Sequence, residues 1–130
     1  MKVEYKPLPL SKVRSVVGQR RIKYRKIVWH TAEMYVKTFL PLDEYKDLID
    51  SIVRTCTTED GDCIYEMIDF VTRINIIAAY ALIELPDDIN EMHYIVYESD
   101  LYDAVVGNVN VAQVDAVVRA VREYCAIGVR

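Results

Sequence analysis

The chain has 130 residues, 52% of them hydrophobic, with only four glycines and four prolines, which predicts one domain with a packed core and excludes a largely disordered chain. Its net charge of −4 conceals a division, because residues 1–37 carry a net charge of +8 and residues 38–130 carry −12. Such a division indicates a basic arm and an acidic body with different tasks.

Residues 1–38 are predicted to form the basic arm, in an extended or β-hairpin conformation, and residues 39–130 to form a helical domain. Two prolines near the start restrict the backbone of the arm to extended or turn conformations. A short helix that contains several valines follows, which Ser11 is predicted to cap and Gly18 to end.

The rest of the arm contains a run in which apolar and basic residues alternate, followed by several β-forming residues. This pattern predicts two strands, at about residues 21–30 and 33–39, joined near Thr31. Neither Asn-Gly nor Asp-Gly stands at that turn, so a helix over residues 31–39 is the alternative interpretation.

Apolar residues at three- and four-residue spacing predict helices through most of the remaining chain. The first begins at Pro41, and the second is a central, buried helix in the apolar stretch of residues 63–85, where a strand is not expected. Helix-start signals at Pro86, Ser99 and Asn110 indicate further helices, the last with a capping-box pattern. The predicted fold is mainly α: a small bundle of four to five helices with the basic arm at its N-terminal end.

The three cysteines, Cys56, Cys63 and Cys125, form no CxxC pair, and their odd number argues against a closed disulfide framework. All three belong to apolar helical patterns, which predicts buried, reduced thiols. A nucleophilic thiol would need a base such as His93 beside it, and no local motif indicates that arrangement. No catalytic residue is therefore predicted.

The acidic residues likewise indicate structure rather than chemistry. Four of them surround the predicted helix start at Pro86, where carboxylates favour the positive end of the helix dipole, and their spacing matches no known cation-binding loop. The four glycines are isolated, so no phosphate-binding loop is predicted. No metal site and no cofactor are predicted either, because no set of ligand residues has a recognisable spacing.

The central apolar stretch is interrupted by Asp69 and Arg73, and its uncharged part is shorter than the roughly 20 residues that cross a bilayer. No membrane contact is therefore expected.

The basic run in the arm is the candidate partner-binding site. It combines cationic side chains with two aromatic rings, and this combination can bind phosphates and stack on bases or can contact an acidic protein surface. The site residues are Arg20, Arg21, Lys23, Tyr24, Arg25, Lys26 and Trp29. Because an arm of +8 complements a body of −12, contact with a protein, including a second copy of the chain, is the preferred expectation.

Two stretches of the sequence resemble small helical proteins encoded among the structural genes of tailed bacteriophages. They are FLPLDEYKDLIDSIVRTC, residues 39–56, and YALIELPDDINEMHYIVYESDLYDAV, residues 80–105. In those proteins a helix of the kind LPL–acidic–DxIV follows an extended segment, and an ELP-[DE]-[DE] turn precedes the last helices. The resemblance implies a virion-associated or assembly protein that packs against copies of itself or against a capsid, neck or tail component. It implies no catalytic residue and does not include the basic run.

The expected function is that of a non-enzymatic bacteriophage virion or assembly protein that acts through protein–protein contacts. The alternative is a small nucleic-acid-binding regulator or inhibitor of a host system that uses the same basic run, and such binding would fall steeply with salt. No long apolar run follows Lys2, so no signal peptide is predicted. We therefore expect synthesis in the host cytoplasm and, from the resemblance, later residence in the virion.

Overall fold

The computed structural model describes residues 4–18 and 23–127, and within them the chain forms six helices and a three-stranded antiparallel sheet. The helices are α1 (Leu10–Val17), α2 (Leu42–Thr55), α3 (Tyr65–Tyr80), α4 (Ile89–Glu98), α5 (Leu101–Val106) and α6 (Val111–Ile127). The strands are β1 (Tyr24–Trp29), β2 (Ala32–Lys37) and β3 (Ala81–Leu82), in the order β1-β2-β3.

Helix α3 lies at the centre of the molecule, as its apolar sequence predicts. Helices α2, α4, α5 and α6 all pack against it. Its buried residues lie on more than one side of the helix: Phe70, Val71, Thr72, Ile76, Ile77 and Tyr80. Because most of this surface is removed from water only by neighbouring helices, tertiary packing supplies most of the stability of α3.

The prediction of a mainly helical fold is confirmed, but the pure bundle is corrected to a mixed arrangement of helices and a small sheet. Five helices, α2 to α6, lie in the region predicted as the bundle, and α1 lies in the predicted arm. The central helix was predicted in the stretch of residues 63–85, whereas α3 ends at Tyr80 and β3 follows directly. Ala81 turns extended because it pairs with Val36 of β2, a partner that local apolar spacing does not reveal.

The predicted hairpin is confirmed in part, and the alternative helix over residues 31–39 is wrong. The strands Tyr24–Trp29 and Ala32–Lys37 differ in their bounds from the predicted spans of about 21–30 and 33–39, of which residues 21 and 22 lie outside the described residues. Strands β1 and β2 pair in an antiparallel register that runs from Tyr24 opposite Lys37 to Trp29 opposite Ala32. Strand β2 buries two side chains, Met34 and Val36, in the same core as the helices. Within the predicted arm, every residue of 4–18 is exposed.

Side-chain caps fix the starts of α4 and α6, the first of them two residues after the start signal predicted at Pro86 and the second where the sequence predicts it. A carboxylate oxygen of Asp88 accepts a hydrogen bond from the backbone N–H of Glu91 at 3.1 Å. The amide oxygen of Asn110 accepts one from the backbone N–H of Gln113 at 3.0 Å. Each bond satisfies a donor that a helix start otherwise leaves without a partner.

Candidate functional site: the hairpin and the N-terminal arm

The turn of the hairpin consists of two residues in the left-handed backbone conformation, which neither residue type adopts readily. His30 and Thr31 have φ angles of 46° and 70°. A two-residue turn between antiparallel strands requires such left-handed values, which Asn and Gly adopt most readily. The β-branched Thr31 is strained there, so the surrounding structure has to hold the tip in place.

Asp100, between α4 and α5, holds the tip of the hairpin. Its Oδ1 accepts a hydrogen bond from Nε1 of Trp29 at 2.8 Å and lies 2.9 Å from Nε2 of His30. The bond from Trp29, followed by the bond from His30, lowers the pKa of the Asp100 carboxyl below its ordinary value. Because the side chains of His30 and Asp100 are both exposed, their contact contributes little to stability, but the bonds orient the hairpin relative to α5.

The alternation of the strand divides the predicted basic run between two faces of the sheet. Arg25 shares a face with Ile27 and Trp29, which both pack against the core. Tyr24 and Lys26 lie on the opposite face. The structure therefore brings Tyr24 and Lys26 together and separates them from Arg25 and Trp29.

The other cationic residues of the predicted site have different surroundings. The Nζ of Lys26 lies 2.9 Å from a carboxylate oxygen of Glu33 on β2, and both side chains are largely exposed. Such a surface pair is worth little in stability, but it partly neutralises the charge of Lys26. Lys23 precedes β1 and is exposed. Arg20 and Arg21 lie outside the described residues.

The face of the sheet that carries Tyr24 and Lys26 combines exposed apolar side chains with charged ones. We call it the hairpin face, and it consists of Tyr24, Lys26, Val28, Glu33, Tyr35, Lys37 and Leu82. Val28 is 68% exposed and Leu82 is 57% exposed. Strand β1 is also an edge strand, since β2 is its partner within the described sheet, and its outer edge is open to another chain. Aromatic and aliphatic side chains beside a charged one are typical of protein interfaces.

Helix α1 follows the extended segment at the start of the described chain. It begins at Leu10 with Pro9 as its N-cap, two residues before the cap predicted at Ser11, and it has no side-chain cap bond. It ends at Gly18, as predicted, where φ is 87° and the backbone N–H donates to the carbonyl of Arg14 at 3.0 Å. None of its residues is buried, so α1 is a helix without a partner in the described structure.

A groove of about 450 Å³ lies between the N-terminal ends of α2 and α6, and we call it the α2/α6 groove. Its apolar lining consists of Phe39, Leu40, Leu42, Tyr45, Ala112 and Ala116. The side chain of Gln113 also lines it and is fixed there, because its Oε1 accepts hydrogen bonds from the backbone N–H of Leu40 and from the hydroxyl of Tyr80.

The three cysteines belong to separate segments of the sequence, and all of them are free thiols. The fold brings them near enough to one another that Cys63 contributes to the pKa of both Cys56 and Cys125. Burial raises the pKa of Cys56, and burial followed by a hydrogen bond with Cys63 raises the pKa of Cys125 to about 12. A raised pKa disfavours the nucleophilic thiolate. The predicted candidate base, His93, stacks edge-on against the ring of Phe70, with ring centroids 5.3 Å apart.

Two residues that position these surfaces were not identified from the sequence. Asp100 binds partners that are 71 and 70 residues away in the chain, and Gln113 binds Leu40, which is 73 residues away. Gln113 carries a local signal as part of a capping box, but that signal indicates a different partner. Neither contact has a sequence pattern that would have identified it.

Within residues 4–18 and 23–127, no group of three or more His, Cys, Asp or Glu side chains is arranged to hold a metal ion. No helix in the same ranges is long and apolar enough to cross a membrane. Comparison with protein-family models finds no match, and searches of curated proteins and of solved structures likewise find no significantly similar protein.

Proposed function

We propose that this protein is a non-enzymatic assembly protein that acts through protein–protein contacts of its N-terminal region. The observation that carries the proposal is the exposed apolar surface in that region. No residue of α1 is buried, and the hairpin face leaves Val28 and Leu82 more than half exposed. Apolar surfaces of this kind mark interaction sites when they form contiguous patches. The resemblance to structural proteins of tailed bacteriophages supports a virion, as a capsid, neck or tail component, as the setting.

The surroundings of the basic run favour a protein over a nucleic acid as the partner. The indole N–H of Trp29 is bonded to Asp100 and its ring is partly buried, so the ring is poorly placed to stack on a base. Lys26 is paired with Glu33, and Arg25 lies on the other face of the sheet. Over the described part of the run, residues 23–29, a nucleic-acid backbone would meet separate charges rather than a continuous basic row.

The test is the mass of the complex that the full-length chain forms, together with the identity of the proteins that co-purify with it. Lys23→Glu combined with Arg25→Glu reverses the charge of the hairpin without changing a buried residue. We expect this variant to lose its partner or to form a smaller complex, with an unchanged helical circular dichroism signal. Arg54→Glu combined with Arg122→Glu makes the same change of charge on exposed positions of α2 and α6 and is the matched control.

Two results would contradict the proposal. One is a complex of unchanged mass and composition in the Lys23→Glu, Arg25→Glu variant. The other is tight binding of a nonspecific single-stranded oligonucleotide that weakens steeply with salt and is lost in the same variant, which would favour the nucleic-acid-binding alternative.

A further inference from the structure

We infer that the α2/α6 groove receives helix α1 of a second copy of this chain, so that two copies exchange their N-terminal arms. The inference rests on the proposed function and deepens it, because it names the partner of the arm. Four features of the structure support it: the sequence of α1, the lining of the groove, the net charges of α1 and α2, and the position at which the arm leaves the body.

Helix α1, LSKVRSVV, is amphipathic. Its spacing places Leu10, Val13 and Val17 on one side, and Lys12 and Arg14 lie at the borders of that side. The three apolar residues are 59%, 38% and 73% exposed. A helix of eight residues is shorter than the roughly 12–15 residues at which isolated helices become marginally stable in water. Helix α1 therefore needs a partner that covers its apolar side.

The groove offers a surface of matching character. Ala112 and Ala116 lie one turn apart on α6 and form a low wall, which allows the axis of an added helix to approach closely. Phe39 and Leu42 form the opposite wall and are 53% and 79% exposed. An aliphatic helix face packed between these walls removes apolar surface from water on both partners.

Helices α1 and α2 have net charges of opposite sign. Helix α1 contains Lys12 and Arg14 and no acidic residue. Helix α2, one wall of the groove, contains four acidic and two basic residues, and its exposed acidic row of Asp43, Asp47 and Asp50 lies on the side away from its buried residues. Opposite charges on two surfaces steer their association and oppose wrong partners.

The arm leaves the body at the mouth of the groove. The carbonyl of Lys23 accepts a hydrogen bond from the backbone N–H of Thr38 at 2.9 Å. The carbonyl of Thr38 in turn accepts one at 2.8 Å from the N–H of Asn110, which lines the groove. Despite this proximity, α1 of the same chain buries no residue in the groove.

This position of the arm explains why the exchange of arms needs only two copies of the chain. When the arm of one copy enters the groove of a second, the start of the second copy's arm is brought close to the groove of the first. Exchange is then reciprocal, and it closes a two-fold dimer instead of extending into a filament.

The first experiment joins the two surfaces by a disulfide between different copies. Full-length Val13→Cys chain is mixed with full-length Ala116→Cys chain that carries a mass tag, and the mixture is mildly oxidised. Both chains also carry Cys63→Ser, because this native thiol is partly exposed. We expect a disulfide-linked dimer that contains one copy of each kind. Val13→Cys mixed with Tyr94→Cys, an exposed position on α4, is the control and should give no such dimer.

The second experiment measures the dimer directly by sedimentation of the full-length chain over a range of concentrations. Leu10 of α1 and Ile89 of α4 are both 59% exposed, which makes Leu10→Asp and Ile89→Asp a matched pair. Leu10→Asp should raise the dissociation constant of the dimer about tenfold or more, because a buried aliphatic contact is lost. Ile89→Asp should leave it unchanged.

A single chain that carries both Val13→Cys and Ala116→Cys completes this experiment. Arm exchange would be overturned if the disulfide forms only within that single chain and not between the mixed chains, or if it forms in neither arrangement. A complex whose mass resists Leu10→Asp but falls with Lys23→Glu and Arg25→Glu would also overturn it, while leaving the proposed function in place. A chain that stays monomeric and captures no other protein contradicts both.

Discussion

The side-chain amide of Gln113 binds both polar backbone atoms of Leu40. Its Oε1 accepts a hydrogen bond from the Leu40 N–H at 2.8 Å, and its Nε2 donates one to the Leu40 carbonyl at 2.9 Å. The same Oε1 accepts a bond from the hydroxyl of Tyr80 at 2.7 Å. Leu40 is 1% exposed and Tyr80 is fully buried. Gln113 therefore connects the segment after the hairpin, the end of α3 and the first turn of α6.

Gln113→Ala is predicted to lower the free energy of unfolding by about 3 kcal/mol, because it removes the partner of three largely buried polar atoms. Chemical denaturation of the variant and the natural chain measures this difference. Tyr80→Phe removes one of the three bonds together with its donor and should cost about 1 kcal/mol. Equal stability of Gln113→Ala and the natural chain would show that these bonds do not hold the fold together.

The start of α6 illustrates what sequence reasoning can predict and what it cannot. The hydrogen bond from the Gln113 N–H to the Asn110 side chain joins residues three positions apart, so their spacing predicts it. The return bond of a capping box would join the Gln113 side chain to the Asn110 N–H. Instead, that N–H donates to the carbonyl of Thr38, and the side chain binds Leu40. These partners are close only in the folded chain.

In the sheet, too, some features follow from the local sequence and others depend on residues that are distant in the chain. Alternation of apolar and basic residues predicts β1 and β2, and it also implies that Arg25 and Lys26 lie on opposite faces. The turn has no sequence signal, because His30 and Thr31 take left-handed values that Asp100, far away in the chain, helps to maintain. Strand β3 continues an apolar helical pattern and becomes extended through its pairing with β2.

Asp100 is predicted to make the position of the hairpin tip dependent on pH. The hydrogen bonds from Trp29 and His30 lower the pKa of its carboxyl in the folded chain. The stabilisation is therefore fully present above the ordinary pKa of 3.8 and is lost as the pH falls through the lower value of the folded chain. Trp29 is the only tryptophan, so its fluorescence reports on this contact. We expect its emission to shift in acid before the helical circular dichroism signal is lost.

Variants of Asp100 test the origin of this shift. Asp100→Asn keeps an oxygen that can accept from Trp29 but carries no charge, so its Trp29 emission should depend much less on pH in the acid range. Asp100→Ala should change the emission at neutral pH as well. Asp103→Asn, on exposed α5 surface, is the control and should behave like the natural chain. An acid shift that persists unchanged in Asp100→Asn would assign it to another group.

The three thiols are predicted to differ in reactivity. Burial raises the pKa of Cys56 and Cys125, the latter to about 12, so both remain protonated in weakly alkaline buffer. Cys63 is only partly buried and should react first. Titration with a chromogenic disulfide reagent should therefore show one fast thiol in the folded chain and three after unfolding. Cys63→Ser should remove the fast reaction, and rapid reaction of all three thiols in the folded chain would contradict the buried arrangement.

Removal of residues 1–18 is predicted to separate assembly from folding. Because α1 buries no residue and the core consists of residues from β2 onward, the free energy of unfolding of the monomer should change by less than about 0.5 kcal/mol. Association stabilises a folded chain by mass action, so the denaturation midpoint of the natural chain should rise with protein concentration. The midpoint of the shortened chain should not. A midpoint that rises equally in both chains would place the contact between copies outside the arm, and a large loss of stability at low concentration would show that the arm supports the fold itself.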